Sequence, residues 1–134
     1  MTRSQYRQSG VLPYIWTPRG LELLLITSLK KQRWIVPKGL VEPGMTPRES
    51  AENEAFEEAG LAGALDLEPL GEWHRSKWGM SCVVEIYPMR VTHQLLRWPE
   101  QGLRQQRWVE RDEALGMVSS AQLRDIIRRL VATK

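Results

Sequence analysis

Cysteine is nearly absent from this chain. Cys82 is the one thiol among 134 residues, which excludes an internal disulfide and a cysteine-built metal cage. It lies in the apolar run 80–86 and reads as a buried, unreactive thiol. Long apolar runs are missing too: none approaches the roughly 20 residues that a membrane helix needs. The opening MTRSQYRQSG has no apolar core of the secretory type, so no signal peptide is expected and a cytoplasmic protein is. There is no internal repeat, no low-complexity tract and no linker long enough to separate one domain from another. Residues 1–134 are therefore read as a single domain, large enough to bury a core without staples. Histidine is scarce, and His74 and His93 read as surface or hydrogen-bonded side chains.

What is present is charge, unevenly spread. Residues 1–47 carry seven basic and two acidic side chains, residues 48–70 one and seven, and residues 71–134 eleven and seven. An acidic block between basic flanks is not the basic stripe of a nucleic-acid-binding protein. It suits a cation site among groups that attract a polyanion.

The segments Ser9–Thr17 and Leu21–Thr27 are rich in strand formers, and Pro18-Arg19-Gly20 marks a turn between them. Arg33–Val36 reads as a short strand stopped by Pro37, and Lys38–Met45 as a glycine-containing loop. Further strands are expected near Glu68–Trp78, Ser81–Thr92 and Gln105–Glu110. From Ser119 onward, Leu123, Ile126, Ile127, Leu130 and Val131 follow helical spacing, with Ser119 or Ser120 as cap. The six tryptophans read mostly as core. Strands with two helices predict an α/β domain in which helices cover a mixed sheet.

The acidic block centres on TPRESAENEAFEEAGL, residues 46–61. Thr46 suits an N-cap, Pro47 the first helical position, and Glu49 completes a capping box. Gly60 is a natural stop, so a helix is predicted over about Pro47 to Ala59. At about 100° per residue from Thr46, Glu57, Glu54 and Glu58 fall near ~20°, ~80° and ~120°. Ala51, Ala55 and Ala59 fall beside them, near ~140°, ~180° and ~220°. Three carboxylates thus share a face, next to a stripe small enough to approach a sheet closely. Arg48 is the helix's one cation and points elsewhere. Like charges at these spacings repel, and hard oxygen donors in such a group ask for Mg²⁺, Mn²⁺ or Ca²⁺. A solvated acidic face is the alternative from the helix alone. Before the helix stand Lys38, a cation that can meet phosphate, and Gly39, where backbone can approach a ligand closely.

Residues 39–61 resemble the Nudix box, G-x5-E-x7-R-E-U-x-E-E-x-G-U with U aliphatic. Gly39, Glu54, Ala55, Glu57, Glu58, Gly60 and Leu61 match, while Met45 replaces the first glutamate and Asn53 the arginine. The motifs RWIVPKG (33–39), SGVLPY, LLLITS and Trp98-Pro99-Glu100 with Arg104 and Trp108 are similar to the diphosphoinositol- and diadenosine-polyphosphate branch of these MutT-like hydrolases. The resemblance implies a Nudix α/β/α sandwich, a mixed sheet with the box as loop–helix–loop. It implies cleavage of a diphosphate linked to another moiety, with Mg²⁺ or Mn²⁺ as cofactor. Glu54 and Glu58 would hold the metal, with Gly39 as a further ligand through its carbonyl, and Glu57 would be the catalytic base or water-orienting group. Ser28, Lys30, Arg33, Lys38, Arg75 and Lys77 would contact substrate, although Leu29 stands where the branch has arginine. In the family the box arginine braces the glutamates. Losing it together with the first glutamate strands no charge if the two support each other.

The function so implied is a metal-dependent pyrophosphohydrolase acting on dinucleoside polyphosphates or related small-molecule diphosphates. Neither a nucleic-acid nor a membrane partner is expected, and the state is a monomer or homodimer. Two alternatives stand beside it: a catalytically impaired phosphate-ligand-binding module on the same fold, and a 5′-end RNA pyrophosphohydrolase.

Overall fold

The fold is taken from a computed structural model that describes residues 5–77 and 79–130 and, at positions 5, 6 and 77, the backbone only. Trp78 and Val131, which the strand and helix patterns above include, fall outside the described residues. Two long strands, β1 (Gln5–Thr17) and β7 (Met80–Gln94), form the centre, paired in parallel from Gln5 with Ser81 to Tyr14 with Arg90. The β1–β2 hairpin, with β2 at Gly20–Thr27, turns where Pro18-Arg19-Gly20 predicts. β3 (Trp34–Ile35) and β8 (Gln106–Glu110) flank β2 antiparallel. β4 (Lys38–Leu40) joins β1, while β5 (Leu61–Leu65) and β6 (Gly71–Lys77) join β7, all antiparallel. The sheet is therefore mixed.

Alternation along these strands feeds two cores on opposite faces. Val11, Leu24, Ile26, Tyr87 and Met89 pack with Ala51, Ala55 and Ala59 of α1 (Pro47–Ala59). Leu12, Leu23, Leu25, Val84 and Ile86 pack with Ala114 of α2 (Arg111–Met117) and Leu123, Ile126 and Ile127 of α3 (Ala121–Arg128). The sheet is thus sandwiched between helices. The two sides are built differently. α3 anchors through large residues, each worth about 1.5–3 kcal/mol when fully buried. α1 contributes only alanines to the apolar core, gains less from burial, and sits close on the sheet.

α1 begins and ends where its sequence dictates. The Thr46 hydroxyl accepts from the Glu49 N–H at 3.1 Å, and the Glu49 carboxylate accepts from the Thr46 N–H at 2.8 Å. Gly60 stops the helix in the left-handed region, φ 69°, a conformation glycine adopts without cost. Ser120 caps α3, accepting from the Leu123 N–H at 3.2 Å.

Three elements depart from expectation. The predicted loop over Lys38–Met45 starts with the short strand β4; Gly39 reads as a loop residue because it weakens strand propensity. β5, of sequence LAGAL, lacks strand formers and is held by pairing to β7, with a register shift at Ala62/Gly63. With α2 the described residues hold three helices rather than two. α2 has seven residues and no side-chain cap, too little for a periodic signal. The tryptophans differ as well: Trp73 is buried, whereas Trp16, Trp34, Trp98 and Trp108 are half-buried. Among the described residues no helix is long and apolar enough to cross a membrane.

Candidate active site

Two of the three face-sharing glutamates are buried. Glu54 is 8% and Glu58 7% exposed, while Glu57 is half-buried and Glu52 exposed. The alanine stripe explains this: α1 lies so near the sheet that side chains beside the stripe are drawn under β4. Gly39, paired with Ser9 of β1, meets the Glu54 carboxylate, and a Cβ at that position would overlap it. The Lys38 N–H donates to Glu58 Oε1 at 3.0 Å. β4 therefore touches both carboxylates, one through the absence of a side chain and one through a backbone amide.

Burial pushes the Glu54 carboxyl up to about 7, reinforced by the charges of Glu58, Glu57, Glu100 and Glu42. Glu58 is also raised to about 7 by burial, against the opposing pull of Arg104 and the Lys38 N–H. Such groups bind protons more tightly in the folded chain than in the unfolded one. Their stabilising contribution is complete below 4.5 and is lost as pH rises through about 7. In chelator, the thermal midpoint should therefore fall between pH 5 and pH 8. The fall should correspond to on the order of 3 kcal/mol, about 10 °C for a domain of this size. Mn²⁺ added at pH 8 should recover it, because a divalent ion binds the ionised form. Thermal melts across that range, with chelator and with Mn²⁺, check both.

The segment 95–106 closes over the end of α1. The N–H groups of Leu95 and Glu100 donate to the carbonyls of Gly60 (2.8 Å) and Glu57 (3.0 Å), and Gln106 Nε2 donates to that of Ala59 (2.9 Å). These satisfy carbonyls that a helix C-terminus leaves free. Gly60 permits the approach, since a Cβ there would overlap the Trp98 ring. Arg104 reaches back from this segment. It donates to Glu58 Oε2 at 3.1 Å, Glu100 Oε1 at 3.2 Å and the Thr27 carbonyl at 3.0 Å.

A cavity of about 530 Å³ opens beside Glu58. Ser28, Lys30, Arg33, Lys38 and Arg75 line it, together with Leu29, Lys31, Arg104 and the buried Cys82. Five of the six expected substrate contacts thus come together, and the side chain of the sixth, Lys77, lies outside the described residues. The turn at 28–33 is closed by the Arg33 N–H donating to the Ser28 hydroxyl at 3.0 Å. The ring of Trp73 organises two of the cations, with Arg75 at 4.5 Å and Lys38 at 5.9 Å from its centroid. Cations outnumber carboxylates along the cavity, which favours a polyanionic occupant.

The box departures leave distinct marks. Met45 Sδ accepts from the Ser50 hydroxyl at 3.9 Å. Asn53 makes no side-chain hydrogen bond among the described residues, so it does not brace the glutamates. Arg48 donates to the carbonyls of Leu65 and Asp66, away from the acid face. Sequence reasoning placed Glu100 and Arg104 in a motif without giving them a site role. Their contacts join residues 46 positions apart in the case of Arg104 and Glu58, and no local periodicity encodes such a pairing.

Whether a divalent ion fits is decided by the donor set. Among the described residues no group of three or more His, Cys, Asp or Glu side chains is placed to hold one. The Glu54 carboxylate, however, is buried, ringed by negative charge and without a hydrogen-bond donor among the described residues. Ionised carboxylates in that position require a cation. Mg²⁺ and Mn²⁺ accept hard oxygen donors, and Mg²⁺ commonly keeps several waters beside one or two carboxylates. The residues present fit such an ion.

Solved structures share this architecture. The Caenorhabditis elegans Ap4A hydrolase superposes with a TM-score of 0.80 over 94% of this chain and 96% of its own, at 18% identity, a likeness of fold. The family model described as NUDIX domain matches residues 7–132, and the chain belongs to the Nudix hydrolases, enzymes that cleave pyrophosphate bonds. Nudix hydrolase 21, chloroplastic, of Arabidopsis thaliana is 32% identical over 96% of this chain and 68% of its own length. Diphosphoinositol polyphosphate phosphohydrolase 3-beta of Bos taurus is 33% identical over 70% of this chain and 58% of its own. The chain spans between half and about two thirds of the curated relatives it matches.

Proposed function

We propose that this chain is a Mg²⁺- or Mn²⁺-dependent pyrophosphohydrolase that cleaves dinucleoside polyphosphates or related nucleoside diphosphate derivatives. It would act in the cytoplasm as a single domain, monomeric or homodimeric. The observation that carries this reading is the cationic cavity lined in part by Glu58: its basic side chains suit a chain of phosphates, and one carboxylate of the acid pair stands in its wall. The names of the relatives, an Ap4A hydrolase by fold and a diphosphoinositol polyphosphate phosphohydrolase by sequence, support the polyphosphate class.

In this reading Glu54 and Glu58 hold the ion, with the Gly39 carbonyl as a further donor. When bound, the ion supplies positive charge against the diphosphate and acidifies water. Glu57, on the same rigid helix and more accessible than Glu54 and Glu58, orients or deprotonates the attacking water. Ser28, Lys30, Arg33, Lys38, Arg75 and Lys77 bind and align the phosphates, which converts encounter into a fixed geometry.

The test is a panel of diphosphates with Mg²⁺ or Mn²⁺, including diadenosine tetraphosphate and 5′-triphosphate RNA, read by phosphate-containing products. Wild-type protein is expected to turn over the dinucleotide in preference to the RNA. The double variant Glu57→Gln, Glu58→Gln is expected to be inactive throughout. Equal product from wild type and variant would leave a binding module as the surviving reading.

A further inference from the structure

The acid face of α1 carries no cation of its own, since Arg48 is turned away and Asn53 is neutral. Yet Glu58 is paired. Its partner is Arg104, from a segment 46 residues distant, with both side chains 9% exposed. The guanidinium is fixed at three points: Glu58 on the helix, Glu100 on its own segment and the Thr27 carbonyl at the end of β2. The segment that delivers it is in turn tied to the C-terminal carbonyls of α1. Glu58 Oε1 is held independently by the Lys38 N–H. Each carboxylate oxygen keeps a further lone pair after accepting one bond, so the clamp fixes the carboxylate without exhausting it.

We propose that Arg104 is the positioning residue of the acid site: from the segment 95–106 it supplies the cation that braces Glu58, which α1 itself does not provide. This rests on the reading of Glu54 and Glu58 as the ion-holding pair. Groups that orient a metal-holding side chain typically change metal affinity 10- to 100-fold when removed. A forked guanidinium orients a carboxylate more firmly than an ammonium does.

Equilibrium Mn²⁺ titration, without substrate, tests the idea on wild type, Arg104→Gln, Arg104→Lys, Glu58→Gln and Glu58→Gln/Arg104→Gln. Arg104→Gln is expected to bind Mn²⁺ about 30-fold more weakly. Arg104→Lys should lose less than this. In the Glu58→Gln background, which binds more weakly at the outset, removing Arg104 should cost little further, a non-additivity that marks a shared role. A purely structural Arg104 would lower the affinity equally in both backgrounds. Affinity unchanged in Arg104→Gln overturns the inference, as does an equal loss with and without Glu58. If Arg104→Gln does not fold, Arg104→Lys with and without Glu58→Gln carries the same comparison, and wild-type affinity in Arg104→Lys overturns it. Failure of wild type to bind Mn²⁺ overturns the acid-site reading and the inference together.

Discussion

Gly39→Ala is expected to lower turnover about 100-fold while leaving the chain folded. The added methyl would occupy space held by the Glu54 carboxylate. Gly39 does not lie at positive φ, so alanine's own backbone preference is not the issue. Collision is the issue, and the flexible partner gives way: the carboxylate must swing out from under β4. A displacement of about 1 Å at a reacting centre can cost on the order of 10²-fold in rate. The strand pairing of β4 to β1 needs no glycine, so thermal stability should change little by comparison. Initial rates on diadenosine tetraphosphate, Mn²⁺ titration and a thermal melt, run on the same preparation, separate the two effects. A rate within twofold of wild type would mean that Glu54 does not need its place beside β4.

The same residue shows how far the sequence reaches. Gly39 was legible as a close-approach position, but what approaches it was not. The helical wheel put Glu54, Glu57 and Glu58 on one face, and Glu54 and Glu58 are indeed adjacent and buried. It could not say that Glu57 would stay more open, because that depends on where the sheet ends. Local grammar carried α1 well: a capping box, a proline at its start and a left-handed glycine are all written within sixteen residues. β4, β5 and α2 were missed because each is stabilised by neighbours rather than by its own composition. Trp73 was counted only among the general core. Its second use, holding Lys38 and Arg75 against its ring, needs β4 and β6 to be brought together by the sheet. The clamp through Arg104 is more remote still. A motif spacing hinted at it, yet the partner of that arginine is determined by the path of residues 95–106 over the helix end.

Glu54→Gln is expected to abolish turnover and, in the same molecule, to raise stability. Two effects of one charge separate here. On the proposed reading Glu54 holds the ion; removing its charge then forfeits several kcal/mol of charge stabilisation, and at about 1.4 kcal/mol per tenfold the rate should drop roughly 1,000-fold. Without an ion, the ionised Glu54 is an unneutralised buried charge among Glu58, Glu57, Glu100 and Glu42. Glutamine keeps the shape, removes the charge, and offers amide donors to the carboxylates around it. Because the Glu54 carboxyl titrates near 7 in the fold and near 4.5 when unfolded, the gain has a definite pH window. It should be small at pH 5, where the carboxyl is protonated in the folded chain and only the unfolded chain has begun to ionise. It should reach on the order of 2–3 kcal/mol at pH 8 in chelator. Glu58→Gln should behave differently although its carboxyl is raised to a similar value. Glu58 is paired, and neutralising it leaves the largely enclosed Arg104 guanidinium with Glu100 as its remaining ion partner among the described residues, a loss that offsets the relief. Thermal melts of both variants at pH 5 and pH 8 in chelator distinguish them. A stabilised Glu54→Gln beside an unimproved Glu58→Gln is the expected pattern. If both variants gain equally, the Arg104 pair contributes nothing to holding the site; if neither gains, the burial of Glu54 is not the source of its raised pKa.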